Sequence, residues 1–223
     1  MLIITEMDLL PNEKMLNSTF QIISGDSVGT AFVIKRGNSR YIVTALHNVL
    51  FSIETHSIQF RRGDRIDNDI CELVAKSDEF DVAILSLPGE KFEVGIEEDE
   101  IMRGIALGQT AFFMGFPYNI VEGMLGSQIV PFVCRATVSN VAKTPSSAIY
   151  TSAAVSPGFS GGPLFAPDLS DKGRIKLIGL MLESLTFPAP VKDKAGEVIG
   201  VVDIDTHIGR AANIGRVVEL LPN

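Results

Sequence analysis

The sequence predicts an all-β protein, because its apolar residues come in many short runs and helical periodicity is scarce. The runs are rich in β-branched and aromatic side chains, and clusters of turn-forming residues separate them. Turn clusters such as RGNS at residues 36–39 and DKG at residues 171–173 indicate that the strands are antiparallel. The predicted strands lie at residues 20–23, 30–34, 41–44, 81–87, 111–114, 134–138, 148–151 and 176–181.

One helix is predicted, and it lies at the C-terminal end. Asn213 is a typical N-cap residue, residues 217–221 supply an apolar face, and Pro222 ends the helix. The all-β class therefore includes one short terminal helix.

An acidic segment divides the chain into two lobes. Pro88 and Gly89 precede a strongly acidic run at residues 90–100, which we interpret as an exposed connection. We predict an N-terminal domain at residues 1–104, with the connection included, and a C-terminal domain at residues 105–223. Residues 118–131 are predicted to form a long loop between strands, near a functional site.

Composition excludes several classes of protein. With 223 residues and 46% apolar content the chain can bury a substantial core. The net charge of −8 and the lack of a Lys/Arg cluster argue against nucleic-acid binding. The N-terminal residues lack the features of a signal peptide, and no apolar stretch is long enough for a membrane helix, so we expect no membrane partner.

The two cysteines, Cys71 and Cys134, have no CxxC spacing. This pattern indicates neither a disulfide framework nor a zinc site, and we expect no metal and no other cofactor. A reducing, cytoplasmic location fits best. The sequence leaves the oligomeric state open.

The most informative segment is SPGFSGGPLF at residues 156–165, which contains Ser160. A serine hydroxyl is a weak nucleophile, so catalysis needs a nearby base and donors for the developing oxyanion. The glycines flanking Ser160 allow a substrate carbonyl to approach main-chain N–H groups closely. Taken alone, the segment also fits an ordinary turn rich in glycine and proline.

The partners that a nucleophilic serine needs are an imidazole base and an acid that orients it. The chain has only three histidines. His47 follows a strand-like run directly, and Asp81 begins a strongly apolar strand. Each alone is typical of a structural residue, but their joint occurrence with Ser160 favours a catalytic set.

Three segments in this order resemble the signature segments of chymotrypsin- and trypsin-like serine peptidases: TALH at residues 44–47, DVAIL at residues 81–85 and PGFSGGP at residues 157–163. The HtrA/Deg-type domains are the most similar subset, because IYTSAAVSPGFSGGPLF at residues 149–165 resembles their nucleophile strand and loop throughout. The resemblance covers residues 16–221. It implies two antiparallel six-stranded β-barrels with the active site in the cleft between them.

The resemblance also implies roles for individual residues. Ser160 becomes the nucleophile, His47 the general base and then acid, and Asp81 the residue that orients His47. The N–H groups of Gly158 and Ser160 would form the oxyanion hole. The implied substrate is an extended or unfolded polypeptide, and residues expected to line the substrate site are Ala154, Val155, Ser156, Leu180, Met181 and Leu182, with contributions from residues 183–184 and 209–211.

Two departures from the family pattern affect these expectations. Ala154 occupies the position of the acid at the base of the trypsin pocket, so we expect a small or apolar residue before the scissile bond. Phe159 stands where secreted trypsin-like enzymes have aspartate and HtrA-type enzymes have asparagine, so it either packs beneath the loop or covers the cleft. We expect no PDZ domain to accompany the peptidase domain.

Two other functions stay open. GFSGG at residues 158–162 also matches the G-x-S-x-G pattern of α/β-hydrolases, with Asp203, Asp205 and His207 following in the required order. Against the esterase hypothesis, Gly161, Gly162 and Pro163 disfavour the helix that must follow the serine in an α/β-hydrolase. His207 and His56 are then loop or structural residues. The other alternative is a trypsin-like fold without activity that serves as a peptide-binding module.

Overall fold

A computed structural model of the protein describes residues 9–50, 57–62, 65–86, 94–102, 104–120, 124–125, 128–142, 148–171 and 173–222. These residues form sixteen strands and two short α-helices. Each strand run predicted from the sequence overlaps an observed strand. The all-β class is therefore confirmed.

The N-terminal half forms one sheet of eight strands, where six were predicted. Its strands are β1 (Thr19–Ser24), β2 (Ser27–Arg36), β3 (Ser39–Ala45), β4 (Ser57–Arg62), β5 (Arg65–Ile70), β6 (Glu72–Ser77), β7 (Val82–Ser86) and β8 (Ile96–Glu97). The order is β5-β4-β1-β2-β3-β7-β6, and β8 pairs in parallel with β2. The other pairs are antiparallel, as the turn clusters predict.

The C-terminal half contains a closed barrel of six strands, in the order β12-β13-β16-β15-β14-β9. The strands of this half are β9 (Thr110–Gly115), β10 (Met124–Leu125), β11 (Gln128–Ile129), β12 (Phe132–Val141), β13 (Ala148–Thr151), β14 (Pro163–Pro167), β15 (Ile175–Lys192) and β16 (Val198–Asn213). The predicted loop at residues 118–131 contains the small β10–β11 pair. β15 is much longer than the run predicted at residues 176–181, and β16 was not predicted.

The helices lie near the two ends of the described chain. Helix α1 (Glu13–Asn17) was not predicted, and Asn12 caps it by accepting the N–H of Met15 at 2.9 Å. Helix α2 (Ile214–Leu220) is the predicted terminal helix, and the side chain of Asn213 accepts the N–H of Gly215 at 2.9 Å. Both helices pack on the core through single buried faces.

Buried side chains join the two halves. One cluster lies within the N-terminal sheet around Ile22 and Phe60, and a second lies within the barrel around Phe113 and Ile149. A third cluster combines side chains of both, including Phe32 and Phe112. The predicted domain boundary between residues 104 and 105 lies between β8 and β9; the division into two domains stays a prediction.

Candidate active site

His47 follows one strand of the N-terminal sheet, and Asp81 precedes the strand that pairs with it. β3 ends at Ala45, and His47 follows in a single 3₁₀ turn, Leu46–Asn48. Asp81 comes directly before β7, and Ala45 pairs with Val82 across the two strands. This register brings the side chains of His47 and Asp81 together.

Asp81 contacts His47 through both carboxylate oxygens. Oδ2 lies 2.6 Å from Nδ1 of His47, and Oδ1 accepts the backbone N–H of His47 at 3.0 Å. The Asp81 carbonyl also accepts the N–H of Leu46 at 3.0 Å. Because an ionised carboxylate only accepts hydrogen bonds, this geometry assigns the proton to Nδ1 and leaves Nε2 as an acceptor.

Ser160 lies in the segment that joins β13 to β14, and we call residues 156–163 the Ser160 loop. The carbonyl of Ser160 accepts the N–H of Thr30 and the side-chain N–H of Asn48, both at 2.8 Å. Asn48 is the residue after His47. The main chain of Ser160 is therefore fastened beside the turn that carries His47.

The Ser160 hydroxyl has a different partner. It donates to the carbonyl of Leu182, on β15, at 2.5 Å. Within the described residues no hydrogen bond joins Ser160 to His47. The structure thus brings His47 and Asp81 into contact, and it leaves the serine hydroxyl on a neighbouring main-chain carbonyl.

The N–H groups of Gly158 and Ser160 are oriented by the carbonyls of their own peptide units. The carbonyl of Pro157 accepts the N–H of Tyr118 at 2.8 Å, and that of Phe159 accepts the N–H of Gly162 at 2.9 Å. In a trans peptide the N–H points opposite to the C=O, so both N–H groups point away from these donors. Neither has an acceptor in the described part of the chain.

Gly158 is required by the backbone of this loop. Its φ is +100°, and a Cβ there would lie 2.2 Å from the carbonyl oxygen of Phe116. Any larger residue would have to move the loop. Glycine at position 158 therefore allows the loop conformation that places this N–H beside Ser160.

Phe159 packs beneath the loop and does not cover the cleft. Its side chain belongs to the buried cluster within the barrel, and its ring contacts that of Phe113 edge-to-face at 5.0 Å between centroids. A Cβ on Gly115 would lie 2.7 Å from the Phe159 ring. Apolar packing thus anchors the loop where secreted trypsin-like enzymes carry an acid.

Three buried polar residues of the N-terminal sheet hold the Ser160 loop from the other side. The Thr30 hydroxyl donates to the Gly158 carbonyl at 2.7 Å and accepts the N–H of Phe116 at 3.1 Å. Thr44 donates to the Thr30 carbonyl at 2.7 Å, and Asn48 donates to the Thr44 hydroxyl at 3.0 Å. The loop is therefore fixed by hydrogen bonds from both sheets.

Sequence reasoning did not assign these polar residues. Thr30 and Thr44 lie inside predicted strand runs, and Asn48 follows the histidine segment. The available signal was a threonine in a buried strand, since a buried hydroxyl needs a partner. Tyr118 was named only as the start of a long loop.

Of the residues predicted to line the substrate site, some are buried in the core and others are partly exposed. Leu180 and Met181 point into the core clusters, and Met181 exchanges main-chain hydrogen bonds with Gly161 and Gly162. The carbonyl of Leu182 faces Ser160. On the other wall, Ala154 and Ser156 are half-buried.

Val155 lies against Gly209. It is buried, and its N–H donates to the Ser184 hydroxyl at 2.7 Å. A Cβ on Gly209 would lie 2.7 Å from Val155 and 2.6 Å from the Thr151 hydroxyl. Glu183, in the stretch at residues 183–184 that was expected to contribute, pairs with Arg210 at 2.8 Å.

The α/β-hydrolase reading is wrong. Strand β14 follows the Ser160 loop where that fold needs a helix, and strands do not alternate with helices in the described residues. Asp203 and Asp205 are exposed on β16, and the Asp205 side chain accepts the N–H of His207 in a local turn. His56 lies outside the described residues.

The part of the chain that the structure describes contains neither a candidate metal site nor a candidate membrane helix. No group of three or more His, Cys, Asp or Glu side chains has the geometry to hold a metal ion. Among these residues there is also no helix with the length and apolar character to cross a membrane.

The family described as "Trypsin-like peptidase domain" matches residues 29–179. No curated protein sequence matches the chain. The match begins just before Thr30 and includes His47, Asp81 and Ser160.

Three solved structures with a similar fold are distant in sequence from this chain. The MamO protease domain from Magnetospirillum magneticum has a TM-score of 0.61 and 15% identity, covering 95% of this chain and 99% of that one. The HtrA-type protease AlgW with a tripeptide has a TM-score of 0.58 and 20% identity, covering 92% of this chain and 58% of AlgW. The serine endoprotease from Yersinia pestis has a TM-score of 0.61 and 16% identity, covering 94% and 65%. The chain thus spans less than two thirds of the last two proteins.

Proposed function

Because the chain belongs to the trypsin-like peptidase family, we propose that it is a serine endopeptidase that cleaves extended or unfolded polypeptides through Ser160, His47 and Asp81. The observation that carries the proposal is the double contact of Asp81 with His47 beside the two unpaired N–H groups of the Ser160 loop. These contacts support a base, its orienting acid and an anion site in the neighbourhood of Ser160.

In the proposed reaction, Asp81 holds the Nδ1–H of His47 so that Nε2 can take the proton of the Ser160 hydroxyl. As Oγ bonds to the substrate carbonyl carbon, the carbonyl electron pair moves to oxygen. The N–H groups of Gly158 and Ser160 stabilise that oxyanion; losing one such donor typically costs about 3–4 kcal/mol.

His47 then passes its proton to the departing amine as the C–N bond breaks, which leaves an acyl-enzyme on Ser160. Water attacks the ester, His47 takes a proton from it, and Ser160 regains the proton when the acid product leaves. No metal or cofactor is needed for these steps.

The contact between Ser160 and Leu182 suggests how substrate starts the reaction. A peptide that pairs with β15 brings its own N–H to the Leu182 carbonyl, which now accepts the serine hydroxyl. That N–H displaces the hydroxyl, and Ser160 turns towards Nε2 of His47. Catalysis is thereby linked to main-chain pairing of the substrate.

We propose a preference for small or apolar residues before the scissile bond. Ala154 supplies no counter-charge, and Val155 and Gly209 form an apolar wall. The pairing of Glu183 with Arg210 supports this preference, because it occupies the carboxylate that follows Leu182 in the chain. A cytoplasmic location is likewise a proposal, and it rests on the cysteine pattern.

A second candidate is a peptide-binding module without activity. It is favoured by the same Ser160–Leu182 hydrogen bond, since a serine that never leaves this carbonyl cannot attack. Esterase activity on this fold is a weaker third candidate.

Cleavage of an unfolded protein such as reduced casein separates these candidates. We expect fragments with the wild type and none with Ser160→Ala or His47→Ala, with most cuts after small or apolar residues. Intact casein that binds to the wild type would support the binding module. Turnover of small esters without any peptide cleavage would support the esterase.

A further inference from the structure

Strands β15 and β16 continue as a hairpin beyond the barrel. β15 pairs with β14 only up to Leu180, and β16 pairs with β13 only from Gly209 onwards. Residues 186–192 and 198–205 pair only with each other in the described chain. We call residues 186–205 the arm; seven residues of strand span about 23 Å.

The arm has a well-formed turn. At its tip the N–H of Asp193 donates to the Glu197 carbonyl at 2.9 Å, and the N–H of Gly196 donates to the Asp193 carbonyl at 3.1 Å. The Asp193 side chain accepts two further N–H groups, and Gly196 has a φ of +87°. These residues are those that such a turn requires.

One face of the arm is apolar and uncovered. The register pairs Phe187 with Ile204 and Ala189 with Val202, so these side chains share a face with Val191. Phe187 is 61% exposed, Ile204 51% and Val202 49%. The opposite face is mixed, because it carries Asp203 and Asp205 together with Val201, Pro188 and Pro190. An exposed apolar face of this kind marks a binding surface.

The free edge of β15 leads from Ser160 to this apolar face. Before Leu180 the edge is occupied by β14, so a peptide that reaches the Leu182 carbonyl can continue only towards the arm. Its residue before the scissile bond lies at Leu182, and the preceding residues follow β15 outwards. Pro188 and Pro190 lack the N–H that a further strand needs, so pairing stops near the base of the arm.

A second copy of the chain fits the apolar face less well. Two such ribbon faces, each about 23 Å by 10 Å, would bury only about 500 Å², against about 1,200 Å² or more for a stable interface. A substrate does not depend on this small contact alone, because it adds the contact to the one that it makes at Ser160.

We propose that the apolar face of the arm binds an apolar segment of the substrate, about four to nine residues before the scissile bond. This inference rests on the proposed peptidase function. It makes the arm a selector for unfolded chains, because folded proteins keep such segments buried.

The test uses the Ser160→Ala protein and two fluorescent twelve-residue peptides that differ only at the fourth to ninth residues before the cleavage site. One carries valine, isoleucine and phenylalanine there, and the other carries serine and asparagine. Fluorescence anisotropy measures binding. We expect the apolar peptide to bind roughly tenfold more tightly, as partial burial of two or three apolar side chains implies.

The double substitution Phe187→Ser with Ile204→Ser should remove this preference. Val201→Ser is the matched control, because Val201 is 67% exposed on the opposite face and should leave the preference intact. The proposal would be overturned if the double variant kept the same preference for the apolar peptide. It would also be overturned if the Ser160→Ala protein without the double substitution showed no preference. So would sedimentation showing a dimer that the double variant abolishes while peptide binding is unchanged.

Cleavage of a four-residue substrate keeps this test separate from the proposed function. We expect the wild type and the double variant, each with Ser160 present, to cleave it equally. If neither does, the peptidase proposal fails while the binding result stands. If both proteins cleave the four-residue substrate and the two twelve-residue peptides bind with equal affinity, only the arm proposal fails.

Discussion

The His47–Asp81 corner and the Ser160 loop are held in different ways. The corner is formed by residues at the ends of two adjacent strands, β3 and β7, and its hydrogen bonds stay within the N-terminal sheet. The Ser160 loop belongs to the barrel, yet Thr30 and Asn48 of the other sheet bind its carbonyls. The corner can form with one sheet, whereas the loop needs both sheets in place.

This difference predicts that changes in the corner affect chemistry alone, while changes around the loop affect chemistry and stability together. The largest expected effect is that of Asp81→Asn. The amide would donate where the carboxylate accepts, so His47 would be held in the wrong tautomer, and kcat should fall by about 10⁴-fold. Peptide-cleavage kinetics measure this change.

Asp78→Asn is the matched control for the corner. Asp78 is exposed, pairs with Lys76 at 3.1 Å, and should leave kcat and stability unchanged. Thermal unfolding of Asp81→Asn should remain close to that of the wild type. A loss of activity that merely follows a loss of folded protein would contradict the proposed role of Asp81.

Phe159→Ala should have the largest effect on stability. The substitution leaves a cavity beside Phe113, so the free energy of unfolding should drop by about 3–5 kcal/mol. Denaturant titration measures it, and kcat should fall as well because the loop loses its anchor. Phe159→Leu should recover much of both, whereas Phe132→Ala, at a 39% exposed position, should cost little.

The strands could be predicted because local sequence determines them, whereas the pairing of His47 with Asp81 was expected from the joint occurrence and family resemblance of their segments. β-Branched runs predict β2, β3 and β7, and strand ends bring His47 near Asp81. The bond from Ser160 to Leu182 and the Thr30–Gly158 contact could not be predicted, since each depends on how the Ser160 loop packs against another strand and no sequence motif marks that packing. The arm was missed because Pro188 and Pro190 interrupt its strand pattern, and prolines of this kind are tolerated only on an edge.

Thr30→Val should have a smaller effect, and it should lower both the catalytic rate and the stability of the fold. The isosteric valine leaves the Gly158 carbonyl and the Phe116 N–H without their partner, at about 1–3 kcal/mol for a buried unsatisfied group. We expect kcat to decrease more than KM rises, because the oxyanion donors shift. Thr110→Val, at an exposed position of β9, is the control. Equal effects of the two would argue against loop positioning by Thr30.

Asp168→Asn should affect stability alone and gives the smallest effect. The hydrogen bond from Lys176 lowers the pKa of Asp168 well below its usual range, and the Ser170 hydroxyl and N–H lower it further. A depressed pKa stabilises the folded state above the ordinary aspartate pKa, and this stabilisation is lost as the pH falls through the folded-state value.

The difference in unfolding free energy between the wild type and Asp168→Asn should therefore be largest near neutral pH and shrink below about pH 4. Denaturant titration across pH measures it, and kcat/KM at neutral pH should not change. Asp171→Asn, at an exposed ion pair with Arg174, should show almost no difference at any pH. A difference that grows on acidification would contradict this account of Asp168.

The most direct measurement of the central claim is covalent labelling with a fluorophosphonate, read by intact mass and peptide mapping. This account predicts one adduct per chain, on Ser160, with labelling lost in Ser160→Ala and strongly slowed in His47→Ala. An adduct on another residue, or equal labelling of the wild type and Ser160→Ala, would contradict it.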